Sequence, residues 1–188
     1  MKSSQADIGL YFIAVVPPEP VYQQAQNWKE HFASQYNSKA SLNSPPHITL
    51  HMPFKMKEKK VQLLVDELRD AGSQHQSLTL KINGFDVFPP RVVFLNVVKH
   101  LSLNTLQEGI AQVMKTKFNL FNADYRDRPF HPHLTLAFRD LKKDKFENAW
   151  AEFEQKTYNE EFFLDRFWLL KHDGKRWKKF ESFSLKKE

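Results

Sequence analysis

One tetrapeptide pattern occurs twice in this chain, as His47-Ile48-Thr49-Leu50 and as His133-Leu134-Thr135-Leu136, each directly after a proline, Pro46 and Pro132. On a strand, residues i and i+2 share a face. Each copy therefore sets an imidazole and a hydroxyl on one face and two aliphatic side chains on the other. The aliphatics suit a core, and the His/Thr pairs suit a polar cleft. If the two polar faces meet, one site holds two histidines and two hydroxyls.

The histidine carries the signal. Ser77-Leu78-Thr79-Leu80 shows that apolar-Thr-apolar alone is ordinary strand grammar. With 8 His and 6 Thr in 188 residues, one chance copy is expected in roughly one chain in twenty-five, and two in about one in a thousand.

The elements around the copies repeat as well. Leu10 to Val16 is a continuous apolar, β-branched and aromatic run stopped by Pro17, which predicts a central strand. A helix is expected from Pro18 to about Tyr36, a polar loop from Asn37 to Pro46, and the first motif strand from His47 to Phe54. Glu58 to Ala71 reads as a helix and Leu78 to Phe88 as a strand bent at Asn83-Gly84, with Pro89-Pro90 as a break. The order then recurs: strand Arg91 to Val98, helix Ser102 to Phe118, loop Asn119 to Pro132, strand His133 to Phe138, helix Lys142 to Tyr158 and strand Phe162 to Leu170. A hairpin turn at Asp173-Gly174 leads to a last strand, Trp177 to Leu185. Both halves thus read strand, helix, motif strand, helix, strand. The expected fold is α+β: one domain, 1–188, of pseudo-symmetric halves, about 1–90 and 91–188, whose motif strands face each other across a cleft.

Composition narrows the chemistry. There is no cysteine, so disulfides, thiolate catalysis and Cys-ligated zinc are excluded. The net charge of +6 permits a polyanionic partner without requiring one. The apolar run from Ile8 to Val16 is too short to span a bilayer. A monomer in the cytoplasm, away from membranes, is the expectation.

Two imidazoles and two hydroxyls suit attack on a phosphate ester. A neutral imidazole accepts a proton from the attacking oxygen, and a protonated one donates to the leaving oxygen. Threonine hydroxyls can hold the non-bridging oxygens between them. Such a site requires neither metal nor cofactor.

The paired motifs, with Pro45-Pro46-His47 before the first and Arg128-Pro129-Phe130-His131-Pro132-His133 before the second, resemble the 2H phosphoesterase superfamily. The likeness is strongest to its 2'-5' RNA ligase / RNA 2',3'-cyclic phosphodiesterase branch. The resemblance implies a bilobal α+β fold with two mainly antiparallel sheets and flanking helices around a central cleft. It implies His47 and His133 as the catalytic pair, Thr49 and Thr135 as phosphate holders, and opening of 2',3'-cyclic phosphates on RNA ends or small nucleotides. Some relatives also join ends through a 2'-5' linkage. The alternative is a nucleotide- or RNA-binding module with the same cleft and no turnover.

One departure concerns the arginine that bacterial members often carry five residues after the second motif histidine. Here Phe138 stands there and Arg139 follows. A shift of one residue on a strand changes face, so Arg139 reaches the phosphate only if the strand has ended or bulges. Arg126 and Arg128 are further candidates for phosphate or ribose. His131 and His133 have metal-ligand spacing, with His47, His51, His172 and Asp140 as the available third ligands. His51 is expected on the same strand face as His47. Tyr11 and Phe54 are candidates to stack a base, and core residues otherwise. The basic residues Lys55, Lys57, Lys59 and Lys60, and the hairpin set Lys171, Lys175, Arg176, Lys178 and Lys179 beside Trp168 and Trp177, are solvated faces or RNA contacts.

Overall fold

The computed structural model describes residues 8–122 and 129–187. Strand β1 (Ile8–Val15) is followed by α1 (Val21–Tyr36), a short 3-10 turn at Ala40–Asn43, and β2 (Ile48–Lys57). Helix α2 (Val61–Ser73) and β3 (Leu78–Phe88) come next, then β4 (Val92–Val97), α3 (Leu101–Phe118) and β5 (His133–Ala137). Helix α4 (Lys143–Phe153), β6 (Asn159–Leu164), β7 (Arg166–His172) and β8 (Trp177–Ser184) complete the chain.

The strands form one curled antiparallel sheet in the order β6-β3-β4-β5-β2-β1-β7-β8. The α+β class is as expected. The two four-strand sheets, however, are joined, because β2 and β5 pair at a single position, Ile48 with Leu134. The motif strands are therefore neighbours in one sheet and do not face each other across a gap. Nor does the sheet follow the two chain halves: β3 pairs with β4 and β6, while β7 and β8 extend the sheet beyond β1.

Period-two alternation sorts β1 cleanly. Tyr11, Ile13 and Val15 enter the main core with Ile48, Leu50, Leu134 and Leu136 and the apolar stripes of all the α-helices. Phe12, Ala14 and Val16 point to the opposite face and pack with Leu170 under Tyr22, Trp168 and Trp177. Tyr11 and Phe54 are buried and stacked on each other at 6.1 Å, so both are core residues.

The helices that precede the motif strands end alike. Asn37 closes α1 and Asn119 closes α3 in the left-handed conformation. Ser38 N–H returns to the Phe32 carbonyl and Leu120 N–H to the Met114 carbonyl, the six-residue closure that asparagine or glycine permits. Gly84, at φ 68°, sits at the register shift in β3, where the sequence predicts a bend. The single strand expected over Phe162 to Leu170 is two strands separated at Asp165.

Candidate active site

Both motif strands carry the same irregularity. Ala14 pairs with Thr49 but Ile13 pairs with His51, so β2 has an extra residue at Leu50. Phe94 pairs with Thr135 but Val93 pairs with Ala137, so β5 has an extra residue at Leu136. Each motif thus ends in a β-bulge, a device that re-aims the side chains beyond it. Leu50 and His51 are consecutive buried residues, as are Leu136 and Ala137. The two residues that follow each pair then return to the open face. Met52 and Pro53 on one side, and Phe138 and Arg139 on the other, line the cleft with His47, Thr49, His133 and Thr135.

The bulges decide where the neighbouring candidates lie. His51 does not share the cleft with His47: the bulge buries it, 2% exposed, against Phe54. Both Phe138 and Arg139 line the cleft, since the bulge brings in the first and β5 ends at Ala137 before the second. Arg126 and Arg128 lie outside the described residues. His131 packs edge-on to Phe88 at 5.3 Å and lies 6.2 Å from the His133 ring. Among the described residues, no cluster of three or more His, Asp or Glu side chains is arranged to hold a metal ion. Asp140, a guessed ligand, instead accepts hydrogen bonds from Ser38 Oγ, Lys39 N and Ala40 N. It thereby ties the end of the second motif to the wall formed by residues 38–44.

The cleft holds about 470 Å³. Its histidines are set in the same way. His47 Nδ1 lies 2.8 Å from the Pro45 carbonyl, and His133 Nδ1 lies 2.7 Å from the His131 carbonyl. A carbonyl can only accept, so Nδ1 carries the proton and donates. Nε2 is left without a protein partner among the described residues and is free for chemistry. The prolines that precede each motif favour the extended backbone that reaches back to the ring. A phenylalanine of the adjoining strand backs each ring: Phe12 at 4.8 Å from His47, Phe94 at 5.1 Å from His133. The Ile48–Leu134 register also sets His47 opposite Thr135 and Thr49 opposite His133. Each imidazole thus has the other motif's hydroxyl as its cross-strand neighbour.

The surroundings are not symmetric. Lys29 of α1 is 1% exposed, and its Nζ donates to the Ser44 carbonyl at 2.7 Å. Burial lowers its pKa to about 7. Burial, and then the Lys29 ammonium, lower His47 to about 4, against the raising effect of the Pro45 carbonyl. Burial also lowers His133, against the His131 carbonyl. Sequence reasoning misses Lys29 because a charged residue is not expected among Val21, Ala25 and Phe32. Its place in that run of helical spacing is the available sign.

Side-by-side motif strands thus bring two rings pinned through Nδ1 and two hydroxyls into one cleft. Residues 17–176 match the 2'-5' RNA ligase superfamily, and the chain belongs to that family. A protein from Oceanobacillus iheyensis named as a phosphoesterase is 28% identical over 178 residues, covering 93% of this chain and 97% of its own. A Geobacillus relative of the same designation is 27% identical over 176 residues, covering 92% and 94%. Among solved structures, Escherichia coli LigT complexed with 3'-AMP aligns with a TM-score of 0.71 at 18% identity, over 95% of this chain and 99% of that one. TT0787 of Thermus thermophilus aligns with 0.69 at 19% identity, again over 95% and 99%. Those likenesses establish the shared fold. Family and relatives together support an enzyme of the 2H phosphoesterase type.

Proposed function

We propose that the chain opens 2',3'-cyclic phosphates, on RNA ends or small nucleotides, with His47 and His133 as base and acid. The observation that carries this is the matched pinning of both rings through Nδ1, which presents two Nε2 atoms to one cleft. The 3'-AMP held by LigT and the family's name make a nucleotide the natural ligand class.

The asymmetry around the pair supports reading His47 as the base and His133 as the acid in hydrolysis. Burial, and then the Lys29 ammonium, disfavour the imidazolium at His47, so His47 starts neutral and accepts a proton from the attacking water. The water oxygen bonds to phosphorus, and the bond from phosphorus to O3' breaks. His133, once it has taken up a proton from solvent, gives it to O3', which leaves a 2'-phosphate and a 3'-hydroxyl. Proton exchange with solvent restores both rings. Thr49 and Thr135 donate to the non-bridging oxygens, and Arg139 adds positive charge at the rim. Joining through a 2'-5' linkage is the same displacement with the 5'-hydroxyl of a second strand in place of water: its oxygen bonds to phosphorus as the bond to O3' breaks. No step calls for a metal or cofactor.

A product assay tests the proposal. The panel comprises 2',3'-cyclic nucleotides, RNA with cyclic-phosphate ends and 2'-5' linked dinucleotides, each with and without a chelator. Turnover of at least one cyclic phosphate to its 2'-phosphate, undiminished by chelator, is expected. No turnover of any would leave the binding-module alternative in its place.

A further inference from the structure

Asn43, Ser44 and Trp177 line the catalytic cleft and also a second groove of about 480 Å³. The far wall of that groove carries Tyr22, Gln26, Arg176, Lys178 and Lys179, and among the described residues no carboxylate lines it. Arg176, Lys178 and Lys179 are exposed. None of them forms an ion pair among the described residues. Lys171 on the adjoining strand is different, since Glu58 neutralises it at 2.8 Å. Asp173, in the turn of this hairpin, accepts the backbone N–H groups of Lys175 and Arg176. The aromatic surface is close by. Lys179 Nζ lies 5.7 Å from the Tyr22 ring and 4.7 Å from the Trp168 ring. Trp177 packs edge-on to Phe12 at 4.6 Å, and Phe12 backs His47.

An RNA that ends in a 2',3'-cyclic phosphate continues only on its 5' side. A cleft that grips the terminal phosphate therefore needs an exit for the strand. We propose that this groove is a subsite for single-stranded RNA, taking the nucleotides on the 5' side of the reacting phosphate. Backbone phosphates lie along Arg176, Lys178 and Lys179, and a base stacks on Tyr22 or Trp177. The proposal rests on the cyclic-phosphate reading of the cleft and specifies its substrate as a strand. An acidic peptide would satisfy the cations but would leave the aromatic wall unused.

The test uses the triple variant Arg176→Ala, Lys178→Ala, Lys179→Ala with two substrates, a 2',3'-cyclic mononucleotide and a short single-stranded RNA with the same terminal group. The variant should lose roughly ten- to a hundredfold in kcat/KM on the RNA, and the salt dependence should flatten by about two in log–log slope. Turnover of the mononucleotide should stay within about twofold of the parent. Equal losses on both substrates, or none on either, would overturn the subsite. If the parent turns over neither substrate, the cyclic-phosphate reading fails and the groove is judged by binding. Fluorescence anisotropy with a labelled RNA lacking the cyclic phosphate should then show tighter binding to the parent than to the variant, and equal binding overturns the groove. A polyglutamate of matched charge that displaces the RNA as well as unlabelled RNA does would also overturn it, in favour of an acidic peptide.

Discussion

The His47 and His133 sides of the cleft differ in what supports them, although their motifs match step for step. Each side has a proline before the histidine, an Nδ1 bond to the carbonyl two residues back and a bulge at the closing leucine. Side-chain hydrogen bonds from helices, however, reach the first motif or the segment just before it, and not the second motif, among the described residues. Lys29 donates to the Ser44 carbonyl, and the buried Gln107 of α3 donates to the Leu50 carbonyl. The second motif instead gives support outward through Asp140. The shared geometry follows from the matched Pro-His-x-Thr-Leu sequences of the two motifs. Burial disfavours the charged form of both rings, and the Lys29 ammonium adds to this at His47.

The largest expected effect tests the shared part. His47→Ala and His133→Ala should each lower kcat on a cyclic nucleotide by roughly a thousandfold or more, with circular dichroism unchanged. A folded variant of either kind with normal turnover would break the pairing. Thr49→Ala and Thr135→Ala should each cost roughly ten- to a thousandfold in kcat, as expected for one lost donor to the phosphate.

Lys29→Met tests the unequal part. Removing the ammonium should raise the pKa of His47, so the acid limb of the kcat/KM profile moves to higher pH. An unmoved limb would dissociate Lys29 from the assignment of the base. Stability gives a second reading. The folded pKa of Lys29 is about 7, below its ordinary 10.5, so the unfolded chain binds more protons between those values. Its contribution to stability therefore rises with pH across that window, by on the order of a few kcal/mol. Urea titrations should lose this slope in Lys29→Met. The smallest effect is expected of Arg139→Ala, an exposed rim charge: a few-fold rise in KM, most visible at low salt.

Local pattern in the sequence reaches most of the elements and all four motif side chains. Continuous or alternating apolar runs locate β1, β4 and β8, and helical spacing locates the helices. Long-range pairing is what escapes it. Strict alternation puts His51 beside His47, and only the Ala14–Thr49 and Ile13–His51 register reveals the bulge that removes it. The same bulge in β5 shows how a residue five positions after the histidine comes to share its face, so Phe138 and Arg139 enter the cleft together. The Phe162 to Leu170 run hides its break because Asp165 interrupts two strands that pair with different partners, β3 and β1. Lys29 is hidden for another reason. A buried lysine contradicts composition rules, and the Ser44 carbonyl that accommodates it is fifteen residues away.

The lone Ile48–Leu134 pair has a mechanical consequence. Rotation of one half-sheet against the other turns about this point, and displacement grows with distance from the pivot. His47 and His133 are the adjoining residues, with almost no lever arm, while the edge strands β6 and β8 lie at the two ends of the sheet. The mouth of the cleft can therefore widen for ligands of different bulk while the spacing between the proton donor and acceptor stays nearly constant.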